Sequence, residues 1–256
     1  MEMHEIIAIV TGGASGLGEA TTRRIVEAGG KVAVFDMNEE RGKMLVDELG
    51  KEHVLFLKTD VAKAENVEVN VAEAVSAFGK VNAVVNCAGI ATPGKVVSKG
   101  GPMILDRFEQ VIRVNLTGTF NVIRVAAAAM MGNEPNAEGE RGVIVNTASI
   151  AAFEGQIGQA AYSASKGGVV GMTLPIAREF AGYGIRVMTI APGLVETPLF
   201  AGLPDPARNA LEELTLFPKR LGRPEEYAKL VESIFTNPLL NGGTIRLDGA
   251  IRMQPK

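Results

Sequence analysis

Short apolar runs rich in β-branched residues alternate along this chain with longer segments in which apolar residues recur every three or four positions. Runs of the first kind are typical of buried strands, and segments of the second kind are typical of helices that bury one face. The predicted strands are residues 6–11, 31–35, 53–59, 83–85, 143–147, 186–190 and 244–247. This alternation implies an α/β fold with a seven-stranded parallel sheet, helices on both faces, and a ligand site at the carboxyl edge of the strands.

The size of the chain favours a single folding unit. It has 256 residues, of which 46% are hydrophobic. A three-layer domain of this size can bury one large core without dividing, so we expect one domain over residues 1–256.

A glycine-rich turn, GGASGLG, follows the first predicted strand and precedes a helical pattern. A diphosphate can approach a backbone closely only where Cβ atoms are absent, and the first N–H groups of the next helix favour an anion. The turn therefore predicts a dinucleotide-phosphate site. Its members are Gly12, Ser15, Gly16, Leu17 and Gly18.

The second predicted strand is followed directly by Asp36, 18 residues after Gly18. In nucleotide-binding βαβ units an acidic residue at this place binds the adenosine ribose hydroxyls. The carboxylate would also repel a 2′-phosphate, and the neighbouring Ser15 and Met37 supply no cation, so we expect NAD rather than NADP. The alternative is an aspartate that only caps the end of an element.

Small or polar residues also follow the later strands, where a bound dinucleotide would continue along the sheet edge. Asp60 and Val61 are expected to flank the adenine, and Gly89 permits close approach to the cofactor. The predicted cofactor contacts after these strands are Asp60, Val61, Asn86, Ala88, Gly89, Pro192, Gly193 and Thr197.

The strand at 143–147 leads through a loop into a helix that carries Tyr162 and Lys166. Residues four apart share a helix face, and a cation beside a phenol favours the phenolate. We therefore expect Lys166 to lower the pKa of Tyr162 and to make it a general acid or base, with the Ser149 hydroxyl bonded to the same substrate oxygen. A Tyr and a Lys four residues apart are common on helix surfaces. The pair therefore indicates a catalytic site only in combination with the phosphate turn and Asp36.

Two helical segments carry further information. Asn115 interrupts an apolar segment that continues to Met131, and its side chain either faces solvent or holds a water. The helix after Tyr162 is apolar on more than one face as far as Ala177, which predicts that a partner subunit covers the face turned away from the sheet.

Net charge and cysteine content limit the classes of ligand, the metal content and the compartment that we expect. The 26 basic and 29 acidic residues give a net charge of -3, which offers no general attraction to nucleic acid or anionic membrane and favours a small-molecule substrate. The single cysteine, Cys87, cannot form an internal disulfide, and no metal-ligand spacing is present, so we expect a reducing compartment and no metal. The N-terminus enters the first strand too early for an export signal, which favours a cytoplasmic location.

Two loops are candidates for substrate binding. Residues 194–218 are Pro-rich and apolar and predict a lid over an apolar ligand, with Leu199 and Phe200 as contacts; the alternative is a surface helix pair. The loop 91–105 carries lysines that either meet phosphates of a bulky substrate or are simply solvated.

Together these motifs resemble those of the short-chain dehydrogenase/reductase family. The resemblance is carried by TGGASGLG at 11–18, Asp36, Asp60-Val61, NCAG at 86–89, Asn115, Ser149, YSASK at 162–166 and APG at 191–193. Within the family, residues 131–142 and several segments after Ser149 are similar to the type II 3-hydroxyacyl-CoA dehydrogenases. Cys87 departs from the wider family, in which asparagine is common at this position.

The resemblance implies a single-domain Rossmann fold, NAD as cofactor, a homotetramer, and reversible hydride transfer between 3-hydroxyacyl-CoA and 3-ketoacyl-CoA. It implies that Tyr162 exchanges a proton with the substrate oxygen, and that Lys166 lowers the pKa of Tyr162 and binds the nicotinamide ribose. Ser149 would orient the oxygen, and Asn115 would hold a water that links Lys166 to solvent.

Substrate identity is left open at this point. Gln156 and Gln159, on the approach to Tyr162, are candidate substrate contacts. A hydroxysteroid or another secondary alcohol is the alternative substrate with the same chemistry. A 3-oxoacyl-acyl-carrier-protein reductase fits less well because such enzymes resemble NADP users, and a nucleotide sensor without turnover is disfavoured by the complete catalytic set.

Overall fold

The computed structural model describes residues 1–198 and 212–255. Nine strands lie in these ranges: β1 Ile7–Thr11, β2 Lys31–Asp36, β3 Val54–Lys58, β4 Ala83–Asn86, β5 Val97–Ser98, β6 Gly101–Pro102, β7 Gly142–Thr147, β8 Ile185–Pro192 and β9 Thr244–Leu247. Seven of them form one parallel sheet in the order β3-β2-β1-β4-β7-β8-β9. All seven predicted strands are confirmed, with ends that differ by at most two residues. The parallel order brings the carboxyl ends of all seven to one edge.

The helices within the described residues cover both faces of the sheet. They are α1 Gly16–Glu27, α2 Glu39–Leu49, α3 Ala64–Phe78, α4 Leu105–Ile112, α5 Thr119–Met130, α6 Ala160–Phe180 and α7 Pro224–Thr236, with a π-helix at Arg113–Gly118 and short 3-10 helices at Met3–Glu5, Ile150–Ala152 and Ala181–Tyr183. One apolar core joins α3, α5 and α6 to the sheet, and a second joins α1, α2 and α7 to its other face.

Alternate residues of the central strands serve these two cores. Ile9 of β1 lies in the core beneath α3, α5 and α6, whereas its neighbours Ala8 and Val10 lie in the core beneath α1, α2 and α7. Because both faces are buried, the strand is apolar throughout instead of alternating with polar residues. This explains the continuous apolar runs from which the strands were predicted.

The helix predicted through Asn115 is interrupted. α4 ends at Ile112, the backbone continues as the π-helix, and α5 begins at Thr119. Asn115 lies within the π-helix and is fully buried. A π-turn adds a residue to the helical ring and is often found at functional sites.

Of the two predicted substrate loops, the structure describes 91–105 in full and 194–218 only in part. In the loop 91–105, β5 and β6 form a short antiparallel pair. Of the predicted lid, 199–211 lie outside the described residues, and Leu199 and Phe200 are among them. Every helix in 1–198 and 212–255 is too short or too polar to span a lipid bilayer.

Candidate active site

A cavity of about 610 Å³ lies at the carboxyl edge of the sheet. Its lining brings together the glycine turn after β1, the ends of β2, β4, β7 and β8, and the first turns of α6. The predicted site residues that line it are Gly12, Ser15, Gly16, Leu17, Gly18, Asp36, Asp60, Val61, Ala88, Gly89, Ser149, Tyr162, Lys166, Pro192, Gly193 and Thr197. Residues from eight separate stretches of sequence thus share one space.

The glycine turn has the geometry of a phosphate cradle. Gly16 begins α1 with a φ of 52°, in the left-handed region that favours glycine. A Cβ at Gly18 would lie 2.2 Å from the carbonyl oxygen of Gly12, so any side chain there would force the turn apart. The side chain of the N-cap residue Ser15 makes no capping bond to α1. The first amides of α1 therefore face an anion site without competition from that hydroxyl.

Asp36 is held in place by two backbone amides. Its Oδ2 accepts from Ala14 N at 3.1 Å, and its Oδ1 accepts from Asn38 N at 2.9 Å. These bonds fix the carboxylate against the glycine turn at the cavity wall, where a ribose diol would reach its remaining lone pairs. Among the described residues that line this cavity, Lys166 is the only Lys or Arg.

The side chains of Tyr162, Ser149 and Lys166 all line the cavity. Ser149 is a hydrogen-bonding neighbour that acts on the pKa of the Tyr162 phenol, and its Oγ accepts from Ala151 N at 3.1 Å. The Lys166 ammonium lies 5.8 Å from the centre of the Tyr162 ring and donates to the carbonyl oxygen of Thr147 at 2.7 Å. Strand β7 supplies Thr147, the loop after it supplies Ser149, and the first turns of α6 supply the other two side chains. The convergence predicted from the sequence is present.

The electrostatics of this group differ from the prediction. Burial raises the pKa of Tyr162 above its ordinary value, while the hydrogen bond with Ser149 acts in the opposite direction. Burial also lowers the pKa of Lys166 to about 8. The expectation that Lys166 lowers the pKa of Tyr162 is therefore wrong, because removal from water disfavours both the Tyr162 phenolate and the Lys166 ammonium. Tyr162 is held as a neutral phenol, which is a proton donor.

The Asn115 side chain joins three elements by hydrogen bonds and does not face solvent. Its Oδ1 accepts from Ile90 N at 2.8 Å, and its Nδ2 donates to Ile90 O at 2.9 Å and to Ser165 Oγ at 3.1 Å. The loop after β4 is thereby tied to the π-helix and to the residue beside Lys166. Asn115 does not line the cavity itself. A water held by Asn115 stays a prediction, and the side chain's amide nitrogen is already committed to protein oxygens.

Besides Asn115, three predicted site residues among those described lie away from the cavity lining. Asn86 is buried in the sheet, and its Nδ2 donates to Asn146 Oδ1 of the neighbouring strand at 2.9 Å. Gln156 Nε2 donates to Gln254 O at 3.0 Å, and Gln159 Oε1 accepts from Gln156 N at 3.0 Å. Both glutamines make these bonds inside the chain. Their assignment as substrate contacts stays a prediction.

A buried polar group behind the cavity was missed from the sequence. The Tyr227 hydroxyl of α7 lies 2.7 Å from Thr147 Oγ1, and Cys87 Sγ lies 3.7 Å from that hydroxyl. Burial raises the pKa of the Cys87 thiol, so it is a neutral side chain here. Thr147 and Cys87 line the cavity. The sequence contained a signal for two of these residues, because Cys87 directly follows β4 and Thr147 ends β7, both at the predicted ligand edge. Nothing in the sequence placed Tyr227 against them.

The residues present fit a nicotinamide dinucleotide. The glycines of the turn, which lack Cβ atoms, suit the diphosphate, and Asp36 suits a ribose. Within the described residues, no group of three His, Cys, Asp or Glu side chains could hold a metal ion.

Comparison with known proteins gives the following matches. Residues 6–207 match the family model described as short chain dehydrogenase. A human protein named 3-hydroxyacyl-CoA dehydrogenase type-2 is 55% identical over 252 residues, which are 98% of this chain and 96% of that protein. The protein of the same name from Drosophila melanogaster is 52% identical and covers 97% of this chain and 98% of its own length.

A solved structure and a more distant relative extend these matches. The crystal structure of 3-hydroxyacyl-CoA dehydrogenase type-2 from Mycobacterium avium superposes with a TM-score of 0.93 at 43% identity, over 97% of this chain and 96% of that chain. A 3-oxoacyl-[acyl-carrier-protein] reductase from Thermotoga maritima is 34% identical over 98% of this chain and 99% of that protein.

Proposed function

Because this chain belongs to the short-chain dehydrogenase family, we propose that it transfers a hydride reversibly between NAD and 3-hydroxyacyl-CoA, which becomes 3-ketoacyl-CoA. The observation that carries the proposal is that Ser149, Tyr162 and Lys166 line the same cavity as the glycine turn and Asp36. The relatives at 52 to 55% identity are named for this substrate class. Relatives with other names share less identity, 34% for the carrier-protein reductase.

The proposed mechanism assigns the proton to the protein. When bound in this cavity, the reduced cofactor would supply the hydride that the ketone carbon accepts in the reductive direction. The Tyr162 phenol donates its proton to the oxygen, and Ser149 orients that oxygen by a hydrogen bond. Lys166 keeps a positive charge near the phenolate that is left and would bind the nicotinamide ribose. In the oxidative direction the same phenolate removes the alcohol proton.

The preference for NAD rests on Asp36. Its carboxylate would repel the 2′-phosphate of NADP, and among the described residues that line the cavity no Lys or Arg lies beside it to offset that repulsion. Glycine-turn residues Gly12, Gly16 and Gly18 would hold the diphosphate of either cofactor, so the discrimination falls on this one side chain.

The substrate proposal is tested by steady-state kinetics with NADH. We expect kcat/KM to be highest for acetoacetyl-CoA or a longer 3-ketoacyl-CoA within a panel that includes ketosteroids. A steroid preference by orders of magnitude would replace the substrate class while leaving the chemistry in place.

The catalytic proposal is tested by Tyr162→Phe. Loss of the phenolic proton should lower kcat by about 10²- to 10⁴-fold. Fluorescence titration should give an NADH Kd close to that of the unsubstituted chain, because the glycine turn and Asp36 are unchanged. Turnover that survives the substitution would defeat the mechanism and favour a nucleotide-binding role without catalysis.

The proposal includes a homotetramer in the cytoplasm. Phe120 on α5 and Leu174 on α6 are 49% and 44% exposed, which leaves apolar surface on two long helices for another subunit to cover. The location rests on the single thiol, Cys87, and the absence of a disulfide pair. Sedimentation analysis at micromolar concentration should give a mass of four chains.

A further inference from the structure

Residues 153–159, which we call the approach loop, lead from Ser149 to the helix of Tyr162 and pack against a C-terminal segment, residues 246–255. Apart from ion pairs, three hydrogen bonds join them directly: Ile157 N to Pro255 O, Gln156 Nε2 to Gln254 O, and Met253 N to Glu154 Oε2, each at 3.0 Å. Two of the three are donated by the loop and one by the segment. A chain end thereby restrains the loop next to the reacting groups.

An ionic network reinforces this contact. Glu154 pairs with Arg246 at 2.7 Å and with Arg252 at 3.3 Å. Asp248 pairs with the same two arginines, at 2.6 Å and 3.2 Å. Two acids and two bases thus alternate, and Glu154 is the only one of the four that belongs to the approach loop. The Arg246 guanidinium also lies 5.5 Å from the centre of the Phe153 ring, which adds a second contact with the loop.

The approach loop is held from its other side as well. Gly94 N donates to Gly158 O at 2.8 Å, which connects it to the loop 91–105. Phe153 and Ile157 nevertheless remain 51% and 54% exposed. A loop restrained at both sides with two apolar side chains in solvent presents a preformed apolar surface near Tyr162, rather than one that must order when a ligand binds.

We propose that Arg246 and Glu154 are positioning residues that fix the approach loop for substrate binding without touching substrate or cofactor. This role rests on the proposed acyl-CoA reaction. The glycine turn and Asp36, which would hold the diphosphate and the adenosine ribose, lie on elements other than the approach loop and the C-terminal segment. Disruption of the ion pair should therefore weaken substrate binding and leave NADH binding unchanged, whereas an ion pair that merely stabilises the fold would not separate the two.

The test compares Glu154→Gln and Arg246→Gln with Glu232→Gln. Glu232 pairs with Arg24 at 2.7 Å between α1 and α7 and is exposed to a similar degree, so its variant controls for loss of a surface ion pair. The KM for acetoacetyl-CoA should rise about 2- to 5-fold in the two loop variants, the range for a partly exposed pair, with kcat and the NADH Kd unchanged. Glu232→Gln should leave all three values unchanged. Arg246→Lys, which keeps the charge, should restore part of the loss.

Hydrogen exchange at the Ile157 amide supplies a readout that does not need turnover. Exchange there should accelerate in Glu154→Gln and Arg246→Gln and stay unchanged in Glu232→Gln. Unaltered exchange would overturn the anchoring, and faster exchange with an unaltered KM would overturn the positioning role. A wild-type chain that does not reduce acetoacetyl-CoA would instead refute the proposed function, and the Ile157 exchange would still decide whether the C-terminal segment holds the loop.

Discussion

The buried ammonium of Lys166 donates a hydrogen bond to the backbone carbonyl oxygen of Thr147 at 2.7 Å, which ties α6 to the carboxyl end of β7. The two residues are 19 positions apart in the sequence, and this bond holds them together beside Tyr162. Loss of water around the ammonium, more than any neighbouring charge, determines its proton affinity.

The first prediction concerns pH. The pKa of Lys166 is lowered to about 8, so its positive charge is present below that pH and is lost as the pH rises through it. Ketone reduction also needs the protonated Tyr162 phenol, whose pKa is raised. We expect kcat/KM for reduction to fall above pH 8 or so. Lys166→Arg, whose guanidinium stays charged, should lack this descending limb even at a lower rate. A profile that stays level to pH 10 in the unsubstituted chain would contradict the assignment.

The second prediction concerns the contact between the Tyr227 hydroxyl and Thr147. Tyr227→Phe removes the hydroxyl that lies 2.7 Å from Thr147 Oγ1 and should lower the free energy of unfolding by about 1 kcal/mol. It should also lower kcat, because Thr147 holds Lys166.

A matched control for Tyr227→Phe is Thr189→Val, which breaks a buried hydroxyl pair at 2.6 Å between β8 and α6. Urea unfolding should show a similar loss in both variants. Equal kcat values for the two would separate Tyr227 from catalysis.

The third prediction concerns cofactor choice. Asp36→Asn keeps an acceptor for Ala14 N or Asn38 N and removes the charge that opposes a 2′-phosphate. The ratio of kcat/KM with NADPH to that with NADH should rise about 10-fold or more, which corresponds to about 1.4 kcal/mol. Asp47→Asn, on the exposed side of α2, is the charge-matched control and should leave the ratio unchanged. An unmoved ratio in Asp36→Asn would mean that NAD selection resides elsewhere.

The fourth prediction concerns Asn115. Asn115→Ala leaves the N–H and carbonyl of Ile90 without the partners that now lie at 2.8 and 2.9 Å, at a cost of about 2 kcal/mol or more in unfolding free energy. Activity should fall along with stability, since the same side chain bonds Ser165 beside Lys166.

Asn133→Ala provides the comparison for Asn115→Ala. Asn133 Nδ2 likewise makes two hydrogen bonds within the chain, in this case to two backbone carbonyls at 2.8 and 3.0 Å, but it lies at the opposite edge of the sheet. This variant should lose stability and keep its kcat. A parallel loss of activity in both would show that Asn115 acts only through the fold.

Much of the architecture follows from local pattern. Apolar runs of strand length between helical segments fixed seven strands to within two residues, because both faces of the sheet are buried and each strand must be apolar throughout. The glycine turn and Asp36 could be proposed as cofactor contacts for a related reason. The proposed role needs a missing Cβ or a carboxylate at the end of a strand, and these are properties of single residues.

Contacts between distant segments were not accessible in this way. The amide of Asn115 is satisfied by Ile90 and Ser165, and Tyr227 reaches Thr147 across 80 residues. A sequence states which residue types are present, but the partners of a buried polar group depend on how helices pack onto the sheet. For this reason two environments stayed open for the Asn115 side chain at the level of sequence, and no signal there indicated the contact of Tyr227 with Thr147.

The sequence by itself determined the parallel sheet, the place of the glycine turn after its first strand, and the proposal that Ser149, Tyr162 and Lys166 act together. Only the tertiary structure decided the protonation tendencies of that group and the anchoring of the approach loop. Spacing along a helix places two side chains on one face, but a pKa depends on how much water remains around them, and that is settled when α6, β7 and their neighbours close together.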